Sequence, residues 1–167
     1  MKYNRFEDLP VWQAAIELAV RVFALTAKSC FKGHAGTRNQ LENAVVSISN
    51  NIAEGFERGT TQETLTFLYI SRGSAGEVPS MLCFLKRAPG FEDLRSEIPD
   101  LRSRSASISK QLRAWADSMQ NTEIRGQRYL SDKTRRVTKE SKEREEFLEE
   151  LRRIREGHSP PSTLEES

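Results

Sequence analysis

Ile98, Leu101, Ser105, Ile108, Leu112, Trp115 and Met119 follow one another at alternating steps of three and four residues. A chain that turns about 100° per residue returns to the same side at those steps, whereas a strand would scatter the same residues over both faces. The stripe runs for three heptads, so this segment can bury it only as a helix laid against other helices. Pro99 fits if the helix starts just before it, because the first-turn N–H groups have no helical acceptor. No segment shows the period-two alternation of a half-buried strand.

Three earlier segments carry the same signature. From about Leu9 to Ser29, Val11, Ala15, Leu18, Val22 and Leu25 form one stripe, and Trp12, Ile16, Ala19 and Phe23 form a second beside it. Asp8 is the expected N-cap, with Pro10 inside the first turn. From about Thr37 to Phe56, Leu41, Val45, Ile48 and Ile52 repeat at helical spacing. A third helix is expected from about Gln62 to Arg87, opened by Thr60 or Thr61 with Glu63 placed for a capping box. Gly73, Gly76 and Pro79 weaken that helix, and Pro79 predicts a kink near residues 75–79 rather than a break. With the fourth helix from about Leu94 to Met119, the pattern is all-α: an antiparallel up-down-up-down four-helix bundle with a charged C-terminal extension.

At 167 residues the chain has room for one domain and an appendage. The bundle is expected over 1–121. Residues 122–137 then read as a basic connector, in which Arg125, Arg128, Lys133, Arg135 and Arg136 face only Glu123 and Asp132. Residues 138–167 are richer in acids than bases and read as a marginal helix followed by a disordered end. The start, MKYNRFEDLP, has no apolar stretch of a signal peptide, and no apolar run is long enough to span a bilayer. Cys30 and Cys83 form neither a disulfide framework nor a metal quartet. A cytoplasmic, reducing compartment is expected, with no membrane association.

Little in the residues points to catalysis. His34 and His158 are the only histidines, one in a glycine-rich turn and the other in the tail, so neither a nucleophile–base pair nor the Glu-x-x-His pairs of a di-metal bundle can be assembled. Catalytic, metal and cofactor sites are therefore expected to be absent. The polar residues on the second and third helices read instead as a structural seam, at the hairpin or at a subunit interface, made by Asn51, Glu54, Ser74 and Glu77, with Arg58 or Arg72 supplying a cation. Arg58, Arg72, Lys86 and Arg87 lie on or beside the third helix, where Glu63 and Glu77 are the only acids between Arg58 and Gly90. Together with Arg125, Arg128, Lys133, Arg135 and Arg136, and with Tyr129 available for stacking, they are the candidate nucleic-acid contacts. The apolar surface exceeds one buried face per helix, which suggests self-association.

The segments FEDLPVWQAAIELAVRVFALT, VSISNNIAEGFERGTTQETLTFLYISRGSAGEV and IRGQRYL resemble the bacterial four-helix bundle family also called 23S rRNA-intervening sequence proteins. The likeness extends from about Phe6 to Leu130. It departs at Ser49, Asn50, Pro79, Met81, Lys86 and Arg87, where the family commonly carries other residues. The resemblance implies a homopentameric ring without enzymatic activity. It also implies a fold similar to the accessory variability determinant of diversity-generating retroelements, a basic pentamer that partners a reverse transcriptase and nucleic acid. The expected function is a non-enzymatic oligomeric bundle that binds RNA or DNA through a basic ring surface. The alternative is a protein-interaction scaffold whose charged tail docks a partner.

Overall fold

The computed structural model describes residues 3–121 and, further along, Arg144, residues 147–149 and Arg152. Four helices dominate: α1 (Pro10–Thr26), α2 (Ala35–Glu57), α3 (Thr61–Arg87) and α4 (Ile98–Gln120). Among the described residues there is no strand. Each helix packs on the next and α1 closes against α4, so α1 and α3 stand diagonally across an antiparallel bundle. The α2–α3 and α3–α4 interfaces are the most extensive. The chain divides into two compact units, Met1–Arg128 and Tyr129–Ser167. In the second, Arg144, Phe147, Leu148, Glu149 and Arg152 are helical and exposed.

The core is the set of stripes. Val11, Ala15, Leu18, Val22 and Leu25 of α1 meet Leu41, Val45, Ile48 and Ile52 of α2, Leu68, Val78, Leu82 and Leu85 of α3, and Leu101, Ile108 and Leu112 of α4, all buried. The second stripe of α1 divides. Ala19 is buried and Trp12 half-buried, its ring meeting Phe6 edge-on at 5.3 Å, whereas Ile16 and Phe23 are exposed, as is Val20, which lies outside that stripe. In α4 the stripe drifts at its C-terminal end, where Ala116 is fully buried and Trp115 only half-buried.

The helix ends show where local chemistry redirects the pattern. Asp8 is not the N-cap of α1. It closes a 3-10 turn, Phe6–Asp8, and Leu9 takes the capping position with an extended backbone and no side-chain cap. Pro10 is thus the first helical residue, where its missing N–H costs nothing. α1 stops at Thr26 because the chain must turn to bury Phe31, which packs edge-on against Phe91 at 5.2 Å. α3 begins as expected: the Thr60 hydroxyl accepts from the Glu63 N–H at 3.2 Å and bonds the Glu63 carboxylate at 2.7 Å. α4 begins at Ile98 after a 3-10 turn, Glu92–Leu94, with Pro99 in its first turn.

Gly55 sets the closest approach of α2 to α3. A Cβ there would lie 2.8 Å from the Phe67 Cβ and 3.4 Å from the Thr64 carbonyl. The helices can meet at this depth only because Gly55 has no side chain.

α3 continues through Pro79 unbroken. Proline has no N–H, so the Ala75 carbonyl, four residues earlier, loses its helical donor. Ala75 is buried at 1% exposure, and water cannot substitute. The fully buried Ser105 of α4 donates its hydroxyl to that oxygen at 2.6 Å. A serine in the apolar stripe of α4 thus supplies the hydrogen bond that a proline in α3 removes.

Candidate functional site

Two groups of polar residues could carry function: the α2–α3 seam and the charged ends of the bundle. In the seam, the Asn51 amide donates to the Ser47 carbonyl at 2.7 Å and to the Ser47 hydroxyl at 2.9 Å. Ser47 Oγ in turn meets Ser74 Oγ at 3.0 Å, and Ser74 also donates to the Ile70 carbonyl at 3.2 Å. Deeper in, the buried Ser71 hydroxyl donates to the Ile48 carbonyl at 2.9 Å. Asn51 and Ser74 are therefore joined across the two helices, through Ser47.

The two glutamates expected beside them lie elsewhere. Glu54 is exposed and pairs with Arg58 one turn on, and Glu77 is exposed with no ion pair among the described residues. A carboxylate between packed helices would have to give up water for more donors than this seam holds, whereas each hydroxyl needs only a carbonyl. The connection is made by serines, and every buried side-chain polar atom among the described residues has a partner.

The cations expected on α3 are far apart. Arg58 lies over the Phe67 ring at 4.8 Å while bound to Glu54, so its charge is already engaged. Arg72 is half-buried at mid-helix and makes no ion pair among the described residues. Lys86 and Arg87 are exposed in the last turn. At 1.5 Å per residue, Arg58 and Lys86 are separated by about 40 Å along the bundle. Arg125, Arg128, Tyr129, Lys133, Arg135 and Arg136 lie outside the described residues, as does the connector they belong to.

The ends of the bundle carry opposite charge. The α1–α2 and α3–α4 turns share one end, tied together by the Phe31–Phe91 contact, by His34 against Phe91 at 5.1 Å, and by the Lys28–Glu97 ion pair at 2.5 Å. There Arg21, Lys28, Lys32, Arg38, Lys86, Arg87, Arg95, Arg102 and Arg104 outnumber Glu42, Glu92, Asp93, Glu97 and Asp100, with Arg38 paired to Glu42 at 3.9 Å and Arg104 to Asp100 at 2.8 Å. At the opposite end, Glu7, Asp8, Glu17, Glu54, Glu57, Glu63 and Asp117 outnumber Arg5, Arg58 and Arg113. There the Arg5 guanidinium hydrogen-bonds Glu7 at 2.6 Å and holds its carboxyl below the usual carboxylate range. The separation by sequence distance hid Lys28, Lys32, Arg38 and Arg95 from the sequence reading. Topology was the signal that could have found them, because in an up-down-up-down bundle the first and third turns meet at one end.

Among the described residues no cluster of three histidines, cysteines or carboxylates is placed to hold a metal ion. No helix among them is long and apolar enough to cross a membrane. The family model described as 23S rRNA-intervening sequence protein matches residues 7–114, a span that takes in α1, α2, α3 and most of α4. No curated protein matches the chain.

Proposed function

The chain belongs to the 23S rRNA-intervening sequence protein family, and on that premise we propose that it is a non-catalytic, self-associating bundle that binds the phosphate backbone of RNA or DNA. The observation that carries this reading is the polarity of the bundle ends. Lys32, Arg38, Lys86, Arg87 and Arg95 are exposed on one end face, beside an exposed imidazole at His34. Side chains of this kind neutralise phosphates without reading bases, so the contact positions nucleic acid rather than selecting a sequence. Copies arranged about an axis parallel to the helices would bring these end faces into one basic ring, raising the local potential above that of a single chain. An accessory or assembly role fits such a surface, including presentation of nucleic acid to a partner enzyme such as a reverse transcriptase.

Phosphate binding releases counterions, so affinity for a labelled RNA or DNA oligomer should fall linearly on a log–log plot against salt. Lys86→Glu combined with Arg87→Glu should weaken binding and flatten that slope, while Arg113→Glu at the opposite end should do neither. Fluorescence anisotropy over a salt series reads all three. Salt-independent binding, or a slope indifferent to Lys86 and Arg87, would refute the reading.

A second reading has its own observation. Phe147 and Leu148 are helical and exposed, at 60% and 51%. They supply adjacent apolar anchors for a protein groove, as a scaffold with a docking tail requires. Truncation after Leu130 that abolishes a protein interaction but spares nucleic-acid binding would favour it.

A further inference from the structure

Two apolar faces of the bundle are left uncovered, on the two helices that stand diagonally opposite. On α1, Ile16, Val20 and Phe23 form a ridge, with Val20 61% exposed. On α3, Tyr69 and Ile70 at one end and Phe84 at the other, 56% exposed, bracket a shallow trough. Its floor is Gly73 and Gly76, and a Cβ at either would meet nothing within 4 Å. These two glycines weaken an exposed helix without serving any contact inside the chain. That contrasts with Gly55, whose missing side chain is filled by Phe67.

We infer that the α1 ridge of one copy seats in the α3 trough of the next, with the two helix axes parallel and Glu17 facing the partner subunit's Arg72. Shape is the first argument. Val20, the most exposed residue of the ridge, is set where the trough has no side chains, which is the complementarity that ridge-into-groove packing needs. Charge is the second. Arg72 and Glu77 flank the glycine floor on opposite sides, about 70° either way at 100° per residue, and neither makes an ion pair among the described residues. With the axes parallel and Val20 set between Gly73 and Gly76, Glu17 falls level with Arg72 and on its side of the contact, and Ile16 falls on Ile70. An antiparallel approach would carry Glu17 to the opposite edge. Glu17 currently bonds Arg21 at 2.8 Å, but Arg21 also lies 3.8 Å from Asp100 and keeps an acidic neighbour if Glu17 turns away.

The contact is heterologous, one face against a different face, so each copy retains one free face of each kind until the assembly closes. This rests on the self-associating part of the reading above and is independent of nucleic-acid contact. It also makes a mixing experiment decisive. Val20→Glu spoils the ridge and leaves the trough, whereas Gly76→Leu fills the trough and leaves the ridge. Both sites are exposed, and leucine is the better helix former, so circular dichroism of each variant should match the parent chain. By size-exclusion chromatography with light scattering, the parent should run as a larger assembly, each variant alone as a monomer, and an equimolar mixture as a dimer containing one of each.

If Gly76→Leu alone assembles like the parent, the trough is not used and the inference fails. A mixture that stays monomeric, from a parent that assembles, places the contact elsewhere while self-association stands. A monomeric parent would sink both. Should either variant unfold, Glu17→Arg and Arg72→Glu carry the test: each alone should lower the assembled fraction and the double exchange should restore it. Failure of the exchange to restore assembly overturns the pairing.

Discussion

Two buried serines join α3 to its neighbours in the same way on paper and for different reasons. Ser71 donates to the Ile48 carbonyl of α2 at 2.9 Å, and Ser105 of α4 donates to the Ala75 carbonyl of α3 at 2.6 Å. Ile48 lies inside a regular helix whose own N–H ladder already serves its carbonyl, so Ser71 adds a second bond to a satisfied acceptor. Ala75 has lost its helical donor to Pro79, so Ser105 provides the replacement. The geometry is alike, but only one of the two acceptors would be left without a partner. The worth of a buried hydrogen bond is therefore set by what remains when it is removed.

The largest effect expected from this comparison is at Ser105. Ser105→Ala should destabilise the chain by about 2–3 kcal/mol, because a buried carbonyl is left with neither water nor donor. In a Pro79→Ala background the helical N–H returns, and the same substitution should cost about 1 kcal/mol or less. A double-mutant cycle by urea denaturation measures the difference. Equal costs in the two backgrounds would show that Pro79 and Ser105 are unrelated.

Gly55→Ala comes next, at about 1–2 kcal/mol. The added methyl must displace Phe67, and the better helix propensity of alanine offsets up to about 1 kcal/mol of the overpacking. Phe67→Ala alone opens the space, so Gly55→Ala in that background should become neutral or stabilising. The contrast sharpens the reading of α3, since Gly76→Ala, facing open space, should stabilise the isolated bundle by up to about 1 kcal/mol.

Ser71→Ala should cost less than Ser105→Ala, about 1 kcal/mol, and should be insensitive to Pro79. If it proved the costlier of the two, the account of Ala75 as an orphaned acceptor would be wrong.

What could be read from the sequence follows the same division. The stripes of α1, α2 and α4 announced those helices and the core residues they contribute, because burial depends on periodicity and periodicity is local. Thr60 and Glu63 announced the start of α3 for the same reason. Ser105 was legible as a core position but not as a donor, since its acceptor lies thirty residues earlier on another helix. Glu54 and Glu77 were expected in the seam with Asn51 and Ser74, yet within the chain the contact between α2 and α3 runs through Asn51, Ser47, Ser71 and Ser74. A hydroxyl can be buried by one carbonyl, and nothing in the local pattern shows whether such a carbonyl lies opposite. The basic end was missed because Lys32, Arg38 and Arg95 converge only through topology.

The smallest effect concerns the ion pairs that tie α1 to α4. Lys28–Glu97 spans 2.5 Å and Arg21–Asp100 spans 3.8 Å, with all four side chains between 42% and 53% exposed. Exposed pairs gain little because water already solvates both partners and salt screens them. A double-mutant cycle on Lys28 and Glu97 should give a coupling of about 0.5 kcal/mol or less, and the melting temperature should change little when salt is raised. The same lysine belongs to the end face whose binding to phosphate is expected to fall steeply over that salt range. On the proposed reading its two roles would separate on this point: nearly silent in holding the bundle together, where its partner is one hydrated carboxylate, and prominent against a polyanion whose condensed counterions it would release. Equal salt sensitivity of folding and binding would mean that the charged end serves the bundle rather than a partner.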